Sequence, residues 1–173
     1  MTSVVTSNEA LREIEELLYK EASFLDRPDL DSWIELYTDD GTYWMPAIED
    51  QEDPLNHISL FYDDRVIMEV RRRNFVHPRA ASKDYKVRSS HIISNIQVTE
   101  MDEKTGNCTV TSNFHCFMYY RDKQTPYAGT YTHELIRDGN SYKIHHKRVD
   151  LIDRKSTRLN SSHSSVSRMP SSA

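Results

Sequence analysis

His133-Glu134-Leu135-Ile136-Arg137 stops one residue short of His-Glu-x-x-His, the zinc pattern that needs two imidazoles one helical turn apart. The segment lies in a β-prone stretch, so the two-ligand geometry fails. His145 and His146 are adjacent, and neighbours in a regular strand point to opposite faces, which keeps the two rings from sharing one ion. Cys108 and Cys116 sit in one alternating stretch, roughly 26 Å apart at about 3.3 Å per residue, too far for a bridge within that strand. They read as two buried, reduced thiols. There is no Gly-x-Ser-x-Gly elbow for a nucleophile, and the four glycines form no phosphate-binding loop.

The elements around these residues follow from periodicity. Leu11, Ile14, Leu18, Ala22 and Leu25 make the apolar stripe of a helix over 8–25, opened by the capping-box pattern Thr6-x-x-Glu9. Pro28 interrupts, and Asp29 or Asp31 can cap a short second helix carrying Trp33 to Tyr37. Asp39-Asp40-Gly41 reads as a turn leading into a β-prone Thr42-Tyr43-Trp44. An acidic loop fills 47–56, after which Leu60, Asp64, Ile67 and Val70-Arg71 predict a third helix with Arg71-Arg72-Arg73 at its exposed end. Cations there suit the helix dipole, though a basic triplet could also grip a partner carboxylate.

Strands follow: 90–99, a Lys104-Thr-Gly-Asn107 turn, and a stretch from Cys108 to Tyr119 with clear period two. Segments 127–137 and 142–151 form a hairpin about Asp138-Gly139-Asn140. Helices followed by a long antiparallel sheet make an α+β plan.

The chain has 173 residues and a net charge of −5; four cations and no acid follow Asp153, so residues 1–153 carry −9. One domain over 1–153 is the expectation, and its acidity argues against a nucleic-acid partner. The first residues lack a basic n-region, and no apolar run is long enough to cross a bilayer, so the expectation is a cytoplasmic protein without a membrane partner. Residues 154–173 include eight serines and show no period; they are expected to be disordered, and their wording resembles translated adapter sequence rather than native protein.

Several stretches together carry a resemblance: Glu21-Ala22 and Leu25-Asp26, Trp33…Leu36-Tyr37 with Asp39-Asp40-Gly41, and Tyr43-Trp44-Met45-Pro46. It continues through Ile58-Ser59-Leu60 with Tyr62-Asp63-Asp64-Arg65, His91-Ile92-Ile93-Ser94-Asn95-Ile96, and Gly129 to Ile152. Over residues 10–153 the chain resembles the small (β) subunits of bacterial aromatic-ring-hydroxylating dioxygenases. The resemblance implies the cone-shaped, nuclear-transport-factor-2-like fold, a curved antiparallel sheet packed on about three N-terminal helices. It also implies a structural role in aromatic catabolism: a trimeric base within an α3β3 hexamer, beneath a catalytic large subunit. That partner is expected to carry the Rieske [2Fe-2S] cluster and a mononuclear Fe(II), fed by NADH through a reductase. This chain has no paired Cys-x-His and Cys-x-x-His, so no cofactor or metal is expected in it.

An alternative is a stand-alone dehydratase or isomerase, since related folds place an acid–base residue in the cone cavity. Asp40, Tyr43, His91, His115 and His133 are its candidates. Otherwise these groups serve as hydrogen-bond partners within the sheet or at an interface. Phe117 and Tyr119 with His115 share one face of a strand, and Tyr131 with His133 continue the theme in the next. An antiparallel sheet normally solvates one face with charge, so Phe117, Tyr119 and Tyr131 are the interface candidates.

Overall fold

The computed structural model describes residues 6–48, 50–76 and 87–153. The apolar stripe forms helix α1, Asn8–Asp26, which buries Ile14, Leu17, Leu18 and Leu25. Ser7 rather than Thr6 is its N-cap, accepting from the Ala10 amide at 3.1 Å. Asp29 caps α2, Leu30–Ile34, through the Ser32 amide. This helix ends before Tyr37, which already belongs to a strand.

Six strands follow: β1 (Tyr37–Pro46), β2 (Ser59–Asp64), β3 (Arg88–Met101), β4 (Cys108–Tyr120), β5 (Lys123–Asp138) and β6 (Ser141–Leu151). They form one curved sheet in the order β2-β1-β6-β5-β4-β3. The α+β plan holds, but the sheet is mixed: β1 runs parallel to β6, while the other neighbours are antiparallel. Two adjacent strands so far apart in sequence have no hairpin constraint on their direction.

Asp39-Asp40-Gly41 does not reverse the chain. It forms a bulge inside β1, where the register against β6 jumps from Tyr37–Ile144 to Thr42–His146. A side chain at position 41 would lie 2.9 Å from the Thr38 carbonyl oxygen and 3.2 Å from that of Ile144. Turn-prone residues bend this strand instead of ending it.

The expected third helix begins later. Leu60 belongs to β2, and α3 spans Arg65–Val76, with Asp64 accepting from the Ile67 amide at its start. The helical spacing in the sequence bridged a strand and a helix that happen to be in phase. Arg71-Arg72-Arg73 therefore lies within the helix. Arg71 grips buried Asp63 of β2 with two hydrogen bonds, and Arg72 pairs with Glu69 and with Asp31 of α2.

The β4–β5 connection is a two-residue turn in which Arg121 and Asp122 both have positive φ, 50° and 61°. Such a turn matches the twist of the strands it joins. The helices cover the sheet's inner face, and the core runs from Ile14 and Trp33 through Phe114, Tyr131 and Ile144. Cys108 and Cys116 are free and buried, and burial pushes the Cys108 thiol up to about 11. The tail after Asp153 lies outside the described residues.

Candidate functional site in the cone interior

The helical stripe 14-18-21-25 of α1 places Glu21 on the core face, although its neighbours in that stripe are apolar. Alternation along β6 puts Lys147 on the same face as Val149 and Leu151. On β5, His133 shares a face with Tyr131 and Leu135. These side chains meet in the interior. Glu21 Oε1 is 2.8 Å from Lys147 Nζ and accepts the Tyr37 hydroxyl at 3.1 Å, while Oε2 is 3.2 Å from His133 Nε2. The Lys147 ammonium also lies 4.1 Å from the Tyr131 ring centroid and 5.5 Å from that of Tyr43. Phe114 stacks on Tyr131 at 4.0 Å and closes the far side.

Burial works against every charge in this cluster, and the pairing decides the outcome. Desolvation alone would raise Glu21, yet Lys147 and the His133 hydrogen bond hold it well below the usual carboxylate range. Burial lowers both His133 and Lys147, with Glu21 opposing each shift. Tyr37, Tyr43 and Tyr131 are pushed well up by burial and by the Glu21 charge. The result is one carboxylate shared by an ammonium, an imidazole N–H and a phenol. Glu21 has no spare proton to give, and three of a carboxylate's roughly four lone-pair directions are already taken by these donors. The arrangement suits a structural tie between α1, β5 and β6 better than acid–base catalysis.

Of the five acid–base candidates, Tyr43 and His133 lie in this interior. Asp40 stands in the β1 bulge on the surface, where Thr38 donates to it at 2.8 Å and lowers its pKa. His115 is exposed on the outer face beside Ile92 and Ala128. His91 is turned inward at the end of α1, where it is bound to Asp26 through both its amide and its ring. The cavity list therefore does not converge on one site.

Among the interface candidates, Tyr131 is a correction: it pairs with buried Ser112 and faces the core. The outer face of β4 carries Phe117, exposed, and Tyr119, half-buried under Arg88. The aromatic theme does not pass to Tyr131 because the β4–β5 register sets Phe117 opposite Pro126, an odd number of residues from 131.

His145 and His146 also depart from simple alternation. His145 is the extra residue of a β6 bulge, within reach of Asp40 at 3.4 Å, while His146 bonds Thr42. Among the described residues no group of three ligating side chains could hold a metal ion. A groove lined by Glu100, Asp102, Glu134 and His145 opens at the surface, away from the cone interior.

Glu21 and Lys147 escaped the sequence reading because charged residues are normally assigned to solvent. Each is in phase with an apolar face, and that is the signal that marks them.

Comparison with known proteins agrees with this geometry. Residues 20–157 match the family model described as ring hydroxylating beta subunit. The chain is 35% identical over 150 residues to the toluate 1,2-dioxygenase subunit beta of Pseudomonas putida, covering 84% of this chain and 90% of that protein. It is 32% identical to the benzoate 1,2-dioxygenase subunit beta of Acinetobacter baylyi, covering 82% and 86%. The solved beta subunit of the benzoate 1,2-dioxygenase of Burkholderia mallei superposes with a TM-score of 0.65 at 25% identity, covering 92% of this chain and 96% of that one. A family match over most of the sheet and helices, around an interior closed by its own ion pair, places this chain in the ring hydroxylating beta subunit family.

Proposed function

We propose that this chain is the structural small subunit of a multicomponent aromatic-ring-hydroxylating dioxygenase, and that it assembles with itself as a trimer within an α3β3 hexamer. The observation that carries the reading is the family match over residues 20–157. The large subunit holds the Rieske cluster and the mononuclear iron, receives electrons from NADH through a reductase, and performs the oxygenation in the cytoplasm. Relatives named for toluate and benzoate support an aromatic carboxylate as its substrate. The small subunit supplies the base, and no catalytic residue is assigned to it.

The outer face of the sheet supports the assembly. Its central rows read Arg148, Thr132, Thr111 and Gln97, then Asp150, Thr130, Asn113 and Ser94, and the charges in them, Arg148 and Asp150, pair with each other. A hydroxyl-rich stretch whose two central charges neutralise each other, with Phe117 and Ile92 beside it, is suited to cover by another chain. Phe117→Asp is expected to abolish assembly while leaving the fold intact. Co-expression with the adjacent large subunit, followed by sedimentation, tests both points: a chain that stays monomeric in both settings overturns the proposal.

A further inference from the structure

An ammonium taken out of water must find compensation on every side, and the chain supplies it to Lys147 from elements other than its own strand. Lys147 is fully buried in β6. Its row across the sheet sets His133 of β5 on one side and Tyr43 of β1 on the other. Glu21 reaches in from α1, with Oε1 2.8 Å from Nζ. The nitrogen stands over the ring of Tyr131, 4.1 Å from its centroid, and over that of Tyr43 at 5.5 Å. Neither phenol oxygen has a hydrogen-bond partner among the described residues, so the rings meet the cation with their π faces and not with their hydroxyls. One carboxylate and two aromatic faces around a single nitrogen is the chemistry that recognises alkylammonium ions.

Each of these groups is also held by a partner other than Lys147. Tyr131 is stacked on Phe114 at 4.0 Å, and Tyr43 meets Trp33 edge-on at 6.5 Å. Glu21 accepts the Tyr37 hydroxyl at 3.1 Å and lies 3.2 Å from His133 Nε2. The cage is therefore built before its occupant is counted, which is the condition for a site that keeps its shape when the occupant is exchanged. Distance selects the kind of cation. A nitrogen 2.8 Å from a carboxylate oxygen must present an N–H there, so a primary ammonium fits and a quaternary one, wrapped in methyl groups, does not.

We propose that the cone interior is a binding site for a primary alkylammonium ion, which the intact chain fills with its own Lys147. Beyond Cβ that side chain is n-propylammonium, three methylenes and a nitrogen. Shortening the residue to alanine removes those atoms and leaves the cage, so the free amine takes the place of the side chain. The inference concerns the interior alone, and its failure leaves the subunit reading standing.

The test is thermal unfolding of the wild-type chain and of Lys147→Ala at pH 8 with n-propylammonium chloride at about 0.1 M. Sodium chloride, n-propanol and tetramethylammonium chloride at the same concentration are the references. At that pH the amine carries its charge as a lysine does, and the imidazole of His133 is above its ordinary range, so it does not take over as counter-ion. n-Propylammonium is expected to raise the Lys147→Ala midpoint by about 5 °C, saturating with concentration, and to leave the wild type unmoved. n-Propanol and tetramethylammonium should raise neither. Adding Glu21→Gln to Lys147→Ala should abolish the advantage of the ammonium over n-propanol. Where Lys147→Ala does not fold in plain buffer, refolding from denaturant gives the same reading: recovery in n-propylammonium and not in n-propanol supports the site, and recovery in neither overturns it. A rise no larger than with n-propanol, a rise that persists without the Glu21 carboxylate, or one shared by the wild type also overturns it.

Discussion

At the scale of single residues, Glu21 holds the interior together. Glu21→Ala leaves the Lys147 ammonium buried without its counter-ion, and a loss of about 3–5 kcal/mol in unfolding free energy is expected from denaturant titration. A loss below about 1 kcal/mol would mean that water reaches Lys147 and that the interior is not closed. Tyr131→Phe should go the other way. Its ring is stacked on Phe114 while its buried hydroxyl finds no hydrogen-bond partner among the described residues, so removing the oxygen should leave stability unchanged or raise it by about 1 kcal/mol. The pH dependence follows from His133. Its folded pKa lies below the ordinary value of 6.5, so the unfolded chain binds more protons. This contribution is complete above about pH 6.5 and is lost as the pH falls below it. Glu21, depressed from 4.5, adds a second loss below about pH 4.5. His146, also lowered by burial, shares the first window, so His133→Gln should reduce but not remove the decline in stability between pH 7 and 5.5. Of the interior, Tyr43 and His133 were legible as residues capable of acid–base chemistry. Their true partners were not, because Glu21–Lys147 joins positions 126 apart and no local pattern reports such a contact.

At the scale of elements, Gly129 of β5 is the glycine that neighbouring backbone approaches most closely. A methyl group there would sit 2.0 Å from the Asp150 carbonyl oxygen and 3.0 Å from the Phe114 ring. Backbone cannot yield as a flexible side chain can, so Gly129→Ala should cost at least about 1–3 kcal/mol and shift the β5–β6 register. Gly139→Ala meets nothing within 4 Å and suffers only its φ of +59°, a cost of about 1–2 kcal/mol. Denaturation of the two variants side by side checks the order. The elements the sequence made legible are those with one uninterrupted period, α1 and the alternating β4 and β5, while β6 was placed by its hairpin turn despite its bulge at His145. The failures occur where two signals overlap. Leu60 to Arg71 carries helical spacing across a strand–helix junction, and Asp39-Asp40-Gly41 carries turn chemistry inside a strand. Arg121-Asp122 is the converse, a tight turn made without glycine or asparagine, announced in its composition by Asp122 alone.

At the scale of the whole molecule, the purified chain is expected to bind no stoichiometric iron and to oxidise no aromatic compound by itself. Elemental analysis checks the first point, and about one tightly held iron per chain would overturn the structural-subunit reading. The placement of β1 against β6 bears on how such a subunit comes into being. Trp44 is paired with Arg148, and the ion pair from Glu21 also reaches β6, so although β2 and β3 arrive earlier, the second edge of β1 and the counter-ion of Glu21 come only with the final strand. On a ribosome adding roughly 5–20 residues per second, that strand emerges seconds after β1. The nascent subunit must keep its apolar N-terminal third out of trouble until translation is nearly done. A stalled chain ending near residue 140 should remain protease-sensitive throughout, and a full-length chain released from denaturant should refold in the slow, millisecond-to-second range of topologies dominated by distant contacts. Co-translational capture by the large subunit would then have to wait for the end of this reading frame, making completion of the small subunit a timing step in building the enzyme.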